Sequence, residues 1–439
     1  MRLASLIVVL AACSHPADSP TDATSITPDS PVVDGPRRLR ASGQDLVDND
    51  GTIVHVRGVN LRDNLLGDDP EPDFNPDNCV TTCPPNEPKC SQKSGSIVTA
   101  DEVDDIVDTL HLDFVRLRVS FEGINRNDCD PDGTNMSADL RAKLDDAVNL
   151  LAARHVWMLI EMRTSDTVAN AVDLYTPGTP DFIAYSHAWT YLASHYANTD
   201  YIAGYGILAE PSPDVVVDAD HVVETLTGFQ NEMMTTIDAQ DHRTLLFIGP
   251  ASNYDTLGYR WDAYATAFPA FAGRIAYEVN LLSPKPWIGT GLDPDTNPAS
   301  YPMLPGYTAD ELTAALLAPS GNLTVPRDDE KLFTKNRDGN FAKLMNPSYL
   351  AWHLGWARTF AETHHVPMVV DQFGATATVS GTTPPTPTPG QLAYEHDLID
   401  AATEANMGWC RWLYSTPSMK EQVRDIVHNP VVHAFYAGL

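Results

Sequence analysis

VPMVVDQFGA, residues 366–375, is an apolar run that closes on a Phe-Gly turn. Val366, Met368, Val369 and Val370 leave no polar alternation, which marks a strand covered on both faces. Seven further segments have strand character: 53–60, 113–119, 156–163, 202–209, 244–249, 274–282 and 407–414. Helical patterns lie between them, such as SADLRAKLDDAVNLLAARH (137–155), opened by a Ser137 cap, and ADHVVETLTGFQNEMMTTIDAQ (219–240). Eight strands alternating with helices, without an internal repeat, predict the α/β class and a single (β/α)8 barrel. Two connections are long. Residues 61–98 and 283–345 follow the first and sixth strands, so both insertions should overhang the face where such barrels bind ligands.

The barrel is expected over residues 38–439. It should begin with LRASGQDLVDNDGTIVHVRGVNL (39–61), a hairpin turning at Asn49–Gly51 and running into the first strand. Ahead of it, residues 14–37 are rich in Ser, Thr, Pro and Asp and read as a tether. Residues 1–13 carry Arg2, the apolar stretch LASLIVVL and Leu10-Ala11-Ala12-Cys13. This pattern resembles a bacterial lipobox, in which Cys13 takes the lipid, and a plain secretory signal is the alternative. The apolar run is too short to span a bilayer. An exported chain anchored to the membrane only through N-terminal acyl chains is therefore expected. Ser14 after the cysteine favours the outer membrane in the sorting pattern this resembles.

The net charge is −31, from 28 Lys+Arg against 59 Asp+Glu. Such a surface disfavours nucleic acid and anionic membrane, and suits secretion, neutral glycans or divalent cations. Of the cysteines other than Cys13, Cys79, Cys83 and Cys90 share the loop CVTTCPPNEPKC, and Cys129 lies nearby. An oxidising compartment would pair these four in two disulfides, with connectivity open; a zinc site is the other reading. Cys410 sits in an apolar strand as a buried thiol. In NDCDPDGTNMSAD (127–139), Asp128, Asp130, Asp132 and Asp139 follow calcium-loop spacing. An Asp-rich turn capping the next helix is the competing reading, so structural calcium is a candidate and no cofactor is required.

Several strand ends carry chemistry. VPMVVDQFGA resembles the seventh barrel strand of glycoside hydrolase family 5, the cellulase-like retaining glycosidases, and IAGYGILAEPSPD (202–214) resembles the fourth, with its Asn-Glu-Pro motif. The resemblance implies Glu210 as acid/base and places Gln372 where the family has its nucleophilic glutamate. Retaining hydrolysis needs two carboxyls about 5–5.5 Å apart, and an amide supplies none. Further carry-over implies that Arg116, in FVRLRV, fixes the nucleophile position. Arg163 and Glu161, in MLIEMRTSD, take the places of a histidine and its acidic neighbour. Asn280 and Leu282, in IAYEVNLLSP, replace a His-x-Tyr pair, and Trp412, in MGWCRWLYS, matches a sugar-stacking tryptophan. Ala209 replaces the motif's asparagine.

Arg116, Arg163, Asn280, Trp412 and Glu161 are thus the expected substrate-binding residues of a divergent member lacking the nucleophile. Strand alternation turns Asp371 away from the interior, leaving Glu161 and Asp166 as substitute carboxylates. An inverting reaction would place a base roughly 6.5–9.5 Å from Glu210. Loss of one acid beside Arg116 and Arg163 could favour an anionic sugar, unless Glu161 and Glu210 neutralise both arginines. The expectation is a monomeric protein that binds poly- or oligosaccharide with an impaired hydrolytic centre. The alternatives are an active hydrolase with a rearranged partner for Glu210, and a structural or protein-interaction lipoprotein.

Overall fold

A computed structural model of the chain describes residues 35–62, 97–124, 138–164, 171–213, 216–218, 220–251, 261–281, 347–375, 387, 390–416 and 425–439. The lipobox with Cys13, the tether up to residue 34, Cys79, Cys83, Cys90, Cys129, Asp128, Asp130, Asp132, Asp166 and Leu282 lie outside them. Asp139 falls within the helix Ala138–Ala153, but its side chain is outside the description.

Two short strands, β1 (Arg40–Ser42) and β2 (Asp45–Val47), form an antiparallel hairpin. Eight more follow: β3 (Arg57–Asn60), β4 (Phe114–Ser120), β5 (Trp157–Arg163), β6 (Ile202–Gly206), β7 (Leu245–Ile248), β8 (Ile275–Leu281), β9 (Met368–Phe373) and β10 (Gly408–Arg411). They close into a parallel barrel in the order β10-β3-β4-β5-β6-β7-β8-β9. Each predicted strand interval overlaps one of these eight. The connections after β3 and β8, the first and sixth barrel strands, are the long ones.

The hairpin differs from expectation. Its ladder turns at Ser42–Asp45, where Gly43 supplies a φ of +63°. The Asn49–Gly51 turn is present as well, but it joins β2 to a single bridge between Val47 and Ile53. Asp48 closes that turn, its side chain accepting from the N–H groups of Asp50 and Thr52 at 2.9 Å. The first barrel strand accordingly starts at Arg57 rather than at residue 53.

The hairpin plugs the barrel bottom. Leu39 and Leu46 join Val56, Phe114, Trp157, Leu159, Ala203, Leu245, Phe247, Ala276, Val369 and Cys410 in one interior cluster. Alternation along each strand sends the other residues, such as Val115, Leu117 and Val370, outward against the helices. Arg38 fastens the entering chain: its Nε donates to Thr244 Oγ1 at 2.7 Å, and its Nη2 lies 3.6 Å from the Asp241 carboxylate. Among the described residues, no helix is long and apolar enough to cross a membrane.

Candidate active site

Above the apolar plug, the inward-facing residues become charged. Arg116 and Arg118 from β4, Glu161 from β5, Glu278 and Asn280 from β8, and Asp371 and Gln372 from β9 converge near the C-terminal strand ends. They form two levels. The lower one is wholly buried: Arg116, Glu161, Glu278 and Asp371 are all 0% exposed. Gly206 on β6 makes room for it, since a Cβ there would meet Glu161 Cγ at 2.5 Å.

Arg116 is the cation of this lower level. Its Nη2 pairs with Glu161 and lies 2.8 Å from Asp371, and its Nε lies 4.0 Å from Glu278. Its Nη1 donates to Asn60 Oδ1 at 2.8 Å and reaches Gln372 Oε1 only at 3.5 Å. One guanidinium thus serves three carboxylates. Burial pushes the Glu278 carboxyl well above its ordinary pKa, aided by the charges of Glu161 and Asp371. Burial likewise lifts Asp371 to about 8, against Arg116 and with Glu161 and Glu210. Each of the three acids brings an oxygen within 4.8 Å of the others, a spacing that a metal ion could use. The Arg116 guanidinium already stands among them.

The upper level is centred on Glu210, which follows β6 through Ile207, Leu208 and Ala209. Its φ of +53° is in the left-handed region, unusual for a residue other than glycine. Its Oε2 accepts from Arg118 Nη2 at 3.3 Å and its Oε1 from Asn280 Nδ2 at 3.3 Å. The side chain keeps 22% of its surface exposed. Burial acts most strongly on Glu210 and raises its pKa, but Arg118, Arg163 and Arg116 together outweigh it and leave the carboxyl below its ordinary value. Arg163 is half-buried at the end of β5.

Three expectations need correction. Arg116 and Glu161 are not open to a ligand, because both are wholly buried. Asp371 does not point away: register shifts against β8 and β10 mark a bulge in β9, so alternation fails there and Asp371 reaches Arg116. Trp412 does not offer an open stacking face. It is 5% exposed, and the Arg118 guanidinium lies over its ring, 4.8 Å from the centroid. The residues missed in the sequence are Arg118 and Glu278. Both had a readable signal: Arg118 lies two places beyond Arg116 on the same face of FVRLRV, and Glu278 two places before Asn280 in IAYEVN.

The family model "Cellulase (glycosyl hydrolase family 5)" matches residues 79–418, most of the chain. The protein belongs to glycosyl hydrolase family 5. Solved structures of the same fold include a family 5 xyloglucanase from Paenibacillus pabuli in complex with ligand, with 13% identity, TM-score 0.57, and 88% of this chain and 97% of that one covered. Endoglucanase Cel5A from Thermotoga maritima gives 11% identity, TM-score 0.52, and coverage of 88% and 97%. The cellulose synthase subunit Z of Clostridioides difficile gives 14%, 0.52, and coverage of 82% and 92%. No curated protein matches the chain. In this family 5 member, the barrel predicted from alternation and the residues converging at its C-terminal end belong to one architecture.

Proposed function

We propose that this family 5 protein binds poly- or oligosaccharide at the C-terminal end of the barrel, with its hydrolytic centre impaired. The observation that carries the proposal is the state of the two positions that would share the chemistry. At 372 stands an amide, which cannot form the glycosyl ester of a retaining reaction. At 210 the carboxyl is retained, yet Arg118 and Asn280 each donate to one of its oxygens, and Arg118, Arg163 and Arg116 lower its pKa against burial. A general acid must carry a proton at the working pH, and the arginines around Glu210 oppose that.

Neutral β-glucans are the favoured ligands, as the similar structures include endoglucanases and a xyloglucanase. The acidic-sugar reading loses the support of Arg116, whose charge is taken up by Glu161 and Asp371. Arg118 likewise faces Glu210. Sugar hydroxyls would meet Glu210 and the Asn280 amide from the open side. Export and an N-terminal lipid anchor place such binding at the cell surface in this proposal, by a monomer.

The test is calorimetric titration of the intact protein with cello-, xyloglucan- and uronate oligosaccharides, alongside reducing-end release. Binding of the neutral set with product formation at least about a thousandfold below an active endoglucanase is expected. Turnover comparable to the active enzyme sinks the impaired reading. Absence of binding to every sugar sinks the glycan reading, and preference for uronates sinks the neutral one.

A further inference from the structure

The bulge in β9 puts two consecutive side chains within reach of one arginine. Against β8, Val279 pairs with Val370 and Asn280 with Gln372, so Asp371 is the residue passed over. Against β10, Trp409 pairs with Val370 and Arg411 with Phe373. A regular strand would present either residue 371 or 372 to the interior. Here Asp371 lies 2.8 Å from Arg116 Nη2, and Gln372 Oε1 lies 3.5 Å from Nη1.

The arginine's charge therefore goes to Asp371 and Glu161, and position 372 receives the margin. We infer that Asp371 has taken over the arginine-bound carboxylate place, and that the amide at 372 is the matching half of this exchange, so that a glutamate fits at 372 only when the charge at 371 is removed. The inference rests on position 372 being the family's nucleophile place, as in the functional proposal, but not on any ligand binding.

The electrostatics agree with it. Three carboxylates around Arg116 already exceed its charge, and Glu278 has no hydrogen-bond partner for either oxygen among the described residues. The crowding, together with burial, raises the pKa values of Asp371 and Glu278. A fourth carboxylate at 372, itself only 4% exposed, would enter a buried cluster in which Arg116 already faces three. Asp371→Asn keeps the shape of the side chain and removes the competing acid.

Unfolding of four proteins decides the matter: the native chain, Gln372→Glu, Asp371→Asn and the double variant, each at pH 5 and pH 8. At pH 8, Gln372→Glu should lower Tm by about 5 °C or more, and in the Asp371→Asn background by less than about 2 °C. The penalty should shrink at pH 5. A carboxyl whose folded pKa is raised by burial and acidic neighbours loses stability only as pH rises above its unfolded value. An equal penalty in both backgrounds, no penalty at all, or a penalty unchanged by pH overturns the inference. If Gln372→Glu does not fold, recovery of folded protein on adding Asp371→Asn upholds it, and failure to recover overturns it. None of these outcomes depends on glycan binding, so the functional proposal stands or falls separately.

Discussion

Below Arg116, the barrel interior is filled by Phe114, Trp157, Leu159, Phe247 and Val369, capped by Leu39 and Leu46 of the hairpin. At and above it stand Arg116, Arg118, Glu161, Glu210, Glu278 and Asp371, drawn largely from the same strands. The apolar plug is held by area removed from water, which is non-directional and indifferent to pH. The charged region above it is held by charge pairing in a buried setting, where each group depends on its partner's protonation. Two residues along a strand are enough to pass from one regime to the other, as Phe114 and Arg116 do on β4. Apolar packing and charge pairing thus occupy opposite ends of one interior.

Arg116→Met should show the largest effect. It removes the guanidinium paired with Glu161 and Asp371, and breaking a buried ion pair from one side costs about 3–5 kcal/mol. The loss should grow with pH. Arg116 holds the carboxyls of Asp371 and Glu278 down, so its removal raises their folded pKa values further. A raised carboxyl contributes stability below its unfolded pKa and loses it as pH rises toward the folded one. Denaturant midpoints at pH 4.5 and 8 should therefore diverge more in the variant than in the native protein. Parallel midpoints would mean that the lower level is not held by charge.

Leu46→Ala tests the other regime. It opens a cavity in the bottom plug, where Leu46 is 5% exposed, and should cost about 2–4 kcal/mol. No titratable group enters the loss, so the difference from the native protein should be the same at pH 4.5 and 8. A pH-dependent cost here would blur the division between the plug and the charged region.

The division also explains what was legible in the sequence. The eight strand intervals could be read because a strand covered on both faces must be a continuous apolar run, and VPMVVDQFGA and its counterparts are such runs. Glu210 and Gln372 could be placed because their flanking Pro211 and Phe373-Gly374 carry the family resemblance. Arg116 and Glu161 were located on the right strands but assigned to the wrong level, because period-two alternation gives the face of a residue and not its depth. Asp371 was misplaced because a bulge breaks that period and leaves no composition signal. Arg118 was passed over although its phase was readable. Its role depends on Trp412 and Glu210, which come from distant parts of the chain.

The smallest effect is expected at Trp412, where the two kinds of interaction meet. Its indole lies under the Arg118 guanidinium at 4.8 Å, and Arg118 in turn holds Glu210 at 3.3 Å. Trp412→Leu keeps an apolar side chain but removes the ring face, so the direct loss should be about 1–2 kcal/mol of cation–π attraction, apart from any cavity. The more informative consequence lies with Glu210. Arg118 keeps that carboxyl ionised against the pull of burial, and a guanidinium no longer seated on a ring is held less firmly in place. The pKa of Glu210 should rise toward or above its ordinary value, and stability contributed by its depressed pKa should be lost at a higher pH during acidification. Carbon-13 NMR of the Glu210 carboxyl in both proteins would show the change directly. An unchanged titration would mean that Arg118 is positioned by β4 alone and that the stacked tryptophan serves only to fill space.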